Sequence, residues 1–258
     1  MMRDLKVALI QTKLCWENKD ANFSHLETHL KNVPSEADLI VLPEMFTTGF
    51  SMNPEMFSEK MTGKGIKWLK SVSKQKNAVV VGSLIIEEKK KYYNRLIAMK
   101  PDGSFDHYDK RHLFRLAGEE KIYAEGSKKK SIVINGWQIA LFVCYDLRFP
   151  VWVRSKDDAD CILFIANWPE KRKDAWISLL KARAIENQAF VLGVNRVGKD
   201  GNGFSHSGDS SIYDPLGECL DHRSNEECII LHCLKKEHLL KTRECFPFHK
   251  DADRFKLL

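Results

Sequence analysis

The sequence predicts an α/β fold of two mixed β-sheets with helices on the outside, and three observations carry that prediction. Short apolar runs rich in β-branched residues alternate with helical patterns along the 258 residues. Two pairs of these runs are joined by tight-turn signals, so hairpins are interleaved with βα units; a purely parallel doubly wound sheet does not accommodate that mixture. No long Pro/Gly/Ser-rich linker, shift of composition or repeat of fixed period divides the chain, so residues 1–258 are expected to form a single domain.

The elements follow in order. LKVALIQ (5–11) reads as a first strand, bounded by polar residues. NFSHLETHLKNV (22–33) spaces its apolar residues by three and four, as an amphipathic helix does, and Pro34 ends it. LIVLPE (39–44) is a buried strand, GIKWLKSVSKQ (65–75) a helix and NAVVVGSLIIE (77–87) a strand. YYNRLIAMK and SFDHYDK pair across Pro-Asp-Gly at 101–103; SIVIN and WQIALFVC pair across Asn135-Gly136. A helix starts near Pro150, DCILFIANW (160–168) is another buried strand, and DAWISLLKARAIENQ (174–188) is a helix leading to the strand AFVLGVNRV. The loop GKDGNG (198–203) breaks the pattern; DSSIYDP and ECIILHCL are the last strands and KKEHLLKTRECF the closing helix.

Composition narrows the class. With 43% hydrophobic and 29% charged residues the chain has the balance of a globular enzyme. The formal charge of +6 is spread among intermixed acids and bases. The clusters Lys89–Lys91 and Lys128–Lys130 flank strands and read as solvated turns, so no nucleic-acid partner is expected. Seven cysteines at scattered spacing, without a C-x-x-C pair, argue against a disulfide framework or a zinc ribbon. No apolar run approaches a membrane span and the start lacks a signal peptide, so a reducing cytoplasm is the expected address and no membrane partner is foreseen.

Polar residues collect at strand exits. LIVLPEMF carries Glu44 just past its apolar run, ALFVCYD carries Cys144, ILFIANW carries Asn167, and Lys110 follows the strand of the first hairpin. In α/β folds functional groups gather beyond the carboxyl ends of strands. The residue types also fit one chemistry. A thiol is only partly ionised near neutral pH and needs a base, which is usually histidine but can be a carboxylate shielded from water. A lysine and a backbone N–H beside the nucleophile can hold the oxyanion.

These residues and their order resemble the nitrilase superfamily of carbon–nitrogen hydrolases. LIVLPEMFTTGF carries Glu44, YDKRHLF carries Lys110 and FVCYDLRFP carries Cys144, and the likeness extends through KARAIENQAF and GFSHSGDSS over nearly the whole chain. ANWPEKRKDAW makes the omega-amidases the most similar branch. The resemblance implies a four-layer α-β-β-α sandwich, no metal or organic cofactor, a small-molecule amide substrate such as 2-oxoglutaramate or succinamate, and a homodimer. It also implies a second glutamate seven residues before a glycine; counting from Gly126 selects Glu119, with Glu120 the alternative. One feature of some omega-amidases, a histidine before the tryptophan of the next helix, is replaced here by Ala175 and does not carry over.

On this reading Glu44 takes the thiol proton, Cys144 attacks the amide carbon, Lys110 and the Tyr145 N–H hold the oxyanion, and Glu119 orients Lys110 or the substrate amide. Asn167, Trp168 and Arg172 are expected to bind substrate, with Arg172 forking its carboxylate and Phe50, Trp168 and Trp176 walling the pocket. Arg148 is expected to be structural, paired with a nearby acid. Other C–N hydrolases (an N-carbamoyl amidase, a deaminated-glutathione amidase or a nitrilase) remain open, as does a non-catalytic binding protein on the same fold. No P-loop, dinucleotide fingerprint, nucleophile elbow or H-E-x-x-H zinc motif is present, and Cys228, His232 and Cys233 read as strand packing.

Overall fold

Two parallel triplets of strands form the centres of two sheets that face each other across a shared core. The structure, a computed structural model, describes residues 3–154, 159–253 and 255. The first half of the chain runs β1 (Leu5–Gln11), α1 (Lys19–Leu30), β2 (Leu39–Val41), the single-turn α2 (Pro54–Phe57), α3 (Lys64–Lys76), β3 (Val79–Glu88), β4 (Lys91–Met99) and β5 (Phe105–Asp109). The Asn18 side chain caps α1 by accepting the Ala21 N–H, which satisfies one donor of the first turn. Left-handed Asn77 closes α3. Here β1, β2 and β3 are parallel, β4 and β5 return antiparallel, and the order is β13-β1-β2-β3-β4-β5; its edge strand β13 (Cys228–Leu234) comes from late in the chain.

The second sheet begins with the hairpin β6 (Ser131–Ile134) and β7 (Trp137–Val143), turning through left-handed Asn135 and Gly136. After the one-turn α4 (Pro150–Val153) come β8 (Cys161–Ala166), α5 (Lys173–Asn187), β9 (Phe190–Asn195), β10 (Val197–Lys199), β11 (Ser205–Tyr213) and β12 (Cys219–Ser224). The chain then crosses to β13 and closes with α6 (Lys236–Cys245). In this sheet β7, β8 and β9 are parallel and the other pairings antiparallel.

Burial explains the layers. On the inner face of the first sheet Val7, Leu9, Val41 and Val81 share one apolar cluster with Ile139, Leu141 and Leu163 of the second. The alternate residues Ala8, Ile10, Ile40 and Val80 point the other way and pack with Phe23 and Leu26 of α1 and Leu69 of α3. Beyond the second sheet, α5 buries Trp176, Leu180 and Ala184. A Cβ on Gly193 of β9 would stand 2.4 Å from Leu180 Cδ1, so only glycine permits that approach. The expected sandwich of two mixed sheets between helices is therefore observed.

Several boundaries moved, each for a local reason. The strand expected to reach residue 44 pairs only to Val41; Leu42 and Pro43 are irregular and a turn begins at Glu44. The helix expected from Pro150 is a single turn. The glycine-rich segment at 198–203 contains the end of β10 and most of the 200–204 turn of the β10–β11 hairpin, and β11 starts at Ser205 rather than near 209. Residues Ser207 to Ser211 of β11 are buried yet polar or glycine, so hydrophobic periodicity does not register there. The polar strand β12 escaped prediction for the same reason.

Candidate functional site

Three parallel strands, β2, β7 and β8, deliver Glu44, Cys144 and Asn167 just beyond their carboxyl ends, and Lys110 directly follows β5. All four are buried, with Glu44 fully so. The turns that carry them are unusual. Met45 and Cys144 both have left-handed backbones, at φ 44° and 47°. For residues bearing a Cβ that conformation costs about 1–2 kcal/mol, and the surroundings must impose it.

At Cys144 the imposing residue is Asp146. One of its carboxylate oxygens accepts the Val143 N–H (3.0 Å) and the Tyr108 hydroxyl (2.7 Å). The other accepts the His112 N–H (3.0 Å) and contacts His112 Nδ1 at 2.8 Å. At Glu44 the imposing group is the Ser83 hydroxyl, which accepts the Met45 N–H at 2.7 Å.

Lys110 Nζ ties the site together. It donates to Glu44 Oε1 at 3.0 Å and to both oxygens of Glu119 at 3.1 and 2.9 Å. Glu119 is buried and also accepts the Phe114 N–H at 2.5 Å, whereas Glu120 is exposed and faces elsewhere. The count from Gly126 thus selects the carboxylate that reaches the lysine. Gly126 is required there, since its Cβ would lie 2.0 Å from the Asp109 carbonyl oxygen while its N–H bonds the Lys110 carbonyl.

Glu44 is held on every side. Asn94 Nδ2 donates to Oε1 at 2.7 Å, the Asn167 N–H donates to Oε2 at 2.7 Å, and Asn167 Nδ2 donates to the Glu44 carbonyl at 2.6 Å. Asn167, expected as a substrate ligand, therefore also fixes the carboxylate. Asn94 was not anticipated; it lies inside β4, where a buried polar residue in an apolar run was the available signal.

The electrostatics decide the resting protonation. Burial pulls Lys110 down, but Glu119 and then Glu44 more than reverse this and hold it firmly as an ammonium. Burial raises the Cys144 thiol well above its usual range; the Glu44 charge raises it further, and the opposing pull of Lys110 does not compensate. The thiol hence keeps its proton at neutral pH. Two carboxylates already share one ammonium, and a resting thiolate would place a second uncompensated negative charge in a buried cage.

A cavity of about 380 Å³ opens onto Cys144 and Lys110. Phe50, Tyr145, Asn167, Trp168 and Arg172 line it as expected, and Phe50 stacks 5.1 Å from Lys110 Nζ. Trp176 corrects the expectation. It is fully buried behind Trp168 at 5.5 Å between ring centres, its Nε1 donates to the Asp209 carbonyl, and it does not line the cavity.

Arg148 is the second correction. It lines the cavity with its guanidinium 5.1 Å from the Trp168 ring, while Arg172 lies 5.0 Å from the Phe114 ring. Among the described residues neither arginine has an ion-pair partner, so the acid expected beside Arg148 is not found. The β10–β11 turn adds Asp200, Asn202 and Phe204, and the start of β11 adds His206, none of them foreseen because the glycines there read as a plain loop. Burial, then Arg196, pushes the His206 imidazole down to about 4.

Among described side chains, the groups around Cys144 offer one thiol, two carboxylates and an ammonium. That set suits acyl transfer with the proton moved in the same step as attack. Comparison with known proteins agrees. The carbon–nitrogen hydrolase family model matches residues 6–238. The chain is 44% identical to omega-amidase YafV of Yersinia enterocolitica over all of both chains. It is 31% identical to the 2-oxoglutaramate amidase of Bacillus subtilis, covering 95% of this chain and 96% of that protein. The crystal structure of XC1258 from Xanthomonas campestris, a CN-hydrolase superfamily protein with an arsenic adduct in its active site, superposes with a TM-score of 0.97. Identity is 38%, covering 99% of this chain and 100% of that one.

Proposed function

The chain belongs to the carbon–nitrogen hydrolase family and is an amidohydrolase, and from that premise we propose that it cleaves the terminal amide of a small dicarboxylate monoamide, of the 2-oxoglutaramate or succinamate type. The products are the dicarboxylate and ammonia, formed through a thioester on Cys144. The observation that carries the reading is the bonding of Lys110 Nζ to both Glu44 and Glu119 in the wall that also bears Cys144. The whole chain, residues 1–258, works in this proposal as one hydrolase domain.

In the first half-reaction Glu44 accepts the thiol proton as sulfur bonds to the amide carbon. The carbonyl π electrons move to oxygen, where the Lys110 ammonium and the Tyr145 N–H meet them. As the tetrahedral adduct collapses, the C–N bond breaks and Glu44 returns the proton to the leaving nitrogen, releasing ammonia. In the second half-reaction Glu44 takes a proton from water while the water oxygen attacks the thioester. The C–S bond then breaks and Glu44 passes that proton to the sulfur, restoring the thiol and its own carboxylate. Glu119 acts through Lys110 by keeping it charged and aimed.

The far carboxylate of the substrate needs a cationic seat, and Arg172 together with Arg148 supplies one. Both guanidiniums line the cavity without an acid of their own among the described residues, and such forks match carboxylate geometry. A cytoplasmic homodimer completes the proposal. Seven free thiols fit a reducing compartment, and exposed Val151 of α4 and Ile185 of α5 offer apolar contacts near the nucleophile turn. Ammonia release from 2-oxoglutaramate, succinamate, glutamine and simple nitriles tests the substrate class. The first two are expected to lead; preference for glutamine or for a nitrile would overturn the assignment.

A further inference from the structure

Far from the hydrolytic cavity, two imidazoles and a carboxylate converge on one point. His25 and His29 stand one turn apart on α1, so both face the same side of the helix, and Glu227 immediately precedes the edge strand β13. The three side chains each turn one donor atom inward, and these atoms lie within 4.8 Å of one another. His25 Nε2 is 2.6 Å and His29 Nε2 3.4 Å from the same oxygen, Glu227 Oε2. The rings meet edge to face at 5.0 Å between centres, which leaves both Nε2 atoms pointing into the shared space. The side chains are 34%, 16% and 23% exposed, so the cluster is recessed yet open on one side.

We propose that His25, His29 and Glu227 form a binding site for a divalent ion of the zinc class, distinct from the hydrolytic site. Two neutral imidazoles and one carboxylate are the donor types such ions take, with three protein ligands and a fourth position left to solvent. Helical i, i+4 spacing brings two imidazoles to one ion without distorting the backbone. The Thr12 hydroxyl, 2.7 Å from Glu227 Oε2 and 2.9 Å from His29 Nε2, and the Lys13 N–H, 3.2 Å from Oε2, hold these donor atoms in place without the ion, which would take His29 Nε2 over from Thr12. Lys13 Nζ contacts the other oxygen, Oε1, at 3.3 Å; its side chain is 65% exposed and free to withdraw into solvent. The ion would clip α1 to the first sheet where β1 ends and β13 begins.

The test uses the full chain stripped with EDTA and titrated with cobalt(II), then zinc(II). A single equivalent of cobalt is expected, with weak visible bands, no intense thiolate charge-transfer band, and displacement by zinc. The His25→Ala/His29→Ala double variant should lose this binding. Glu227→Gln should weaken it by more than the ~10-fold that loss of an outer hydrogen-bond partner costs. Unchanged circular dichroism and ammonia release in EDTA certify that the variants are folded. Retention of no cobalt by the native chain, equal binding by the double variant, or a thiolate band placing the ion on cysteine would each overturn the proposal.

Discussion

The two walls of the cavity are built differently. The inner wall, formed by Lys110, Cys144 and Asn167 with Glu44 and Glu119 bonded behind them, is buried, sits at strand exits or on a short helical turn, and spends its polar atoms on one another, Asn167 Oδ1 excepted. The outer wall, formed by segments around 114–117, 148, 168–172 and 200–206, exposes Leu116 and Phe204 and carries Arg148 and Arg172, which pair with no acid among the described residues. A network whose members satisfy each other is fixed before substrate arrives, as bond-making chemistry requires. Groups left without internal partners can instead recognise what enters. In the proposed function reaction type resides in the inner wall and substrate choice in the outer one.

The sharpest way to break this division is Cys144→Ala. Turnover should fall by about 10⁴-fold or more while the melting temperature stays close to native, because a small buried side chain is lost without orphaning a charge. Substantial residual ammonia release would remove the thiol from the mechanism. Glu44→Gln should cost about 10²–10⁴-fold and abolish the acylation burst in rapid-quench experiments; a normal burst would leave the inner wall without its base.

A third test separates stability from turnover at the root of the outer wall. His206 is held near 4 when folded and titrates near 6.5 when unfolded. The unfolded chain therefore binds a proton that the native state refuses, and stability should fall as pH drops from about 6.5 toward 4, by up to about 3 kcal/mol. Thermal melts of native and His206→Gln across that window check it, and the variant's curve should be flatter. The mildest effect is expected for the arginines. Arg172→Ala and Arg148→Ala should each raise KM for the dicarboxylate monoamide by about 10–100-fold, the worth of one charge-assisted contact, with kcat much less changed. An equal loss in kcat would erase the distinction between the walls.

The inner wall was also the more legible in sequence, and for a physical reason. A parallel strand buried on both faces reads as an unbroken apolar run, so the first polar residue after it stands out, as Glu44, Cys144 and Asn167 do. The resemblance alone selects Glu119 over Glu120, by supplying the count from Gly126; the backbone contact that fixes this glycine shows only in the structure. The outer wall had no such contrast. Arg148 looked like any charge in a turn, and the glycines at 198–203 hid a hairpin whose next strand buries serine, glycine and aspartate. Trp176 failed differently: it packs 5.5 Å from Trp168 between ring centres, and sequence does not say which of two neighbouring aromatics stands in front.

The charge balance of the inner wall has a consequence for the end of the cycle. In the proposed reaction an uncharged amide group enters beside two carboxylates and one ammonium. Hydrolysis replaces it with an anion at the same spot, so the enzyme makes a molecule that its own floor repels. In the proposed reaction that repulsion favours departure of the diacid.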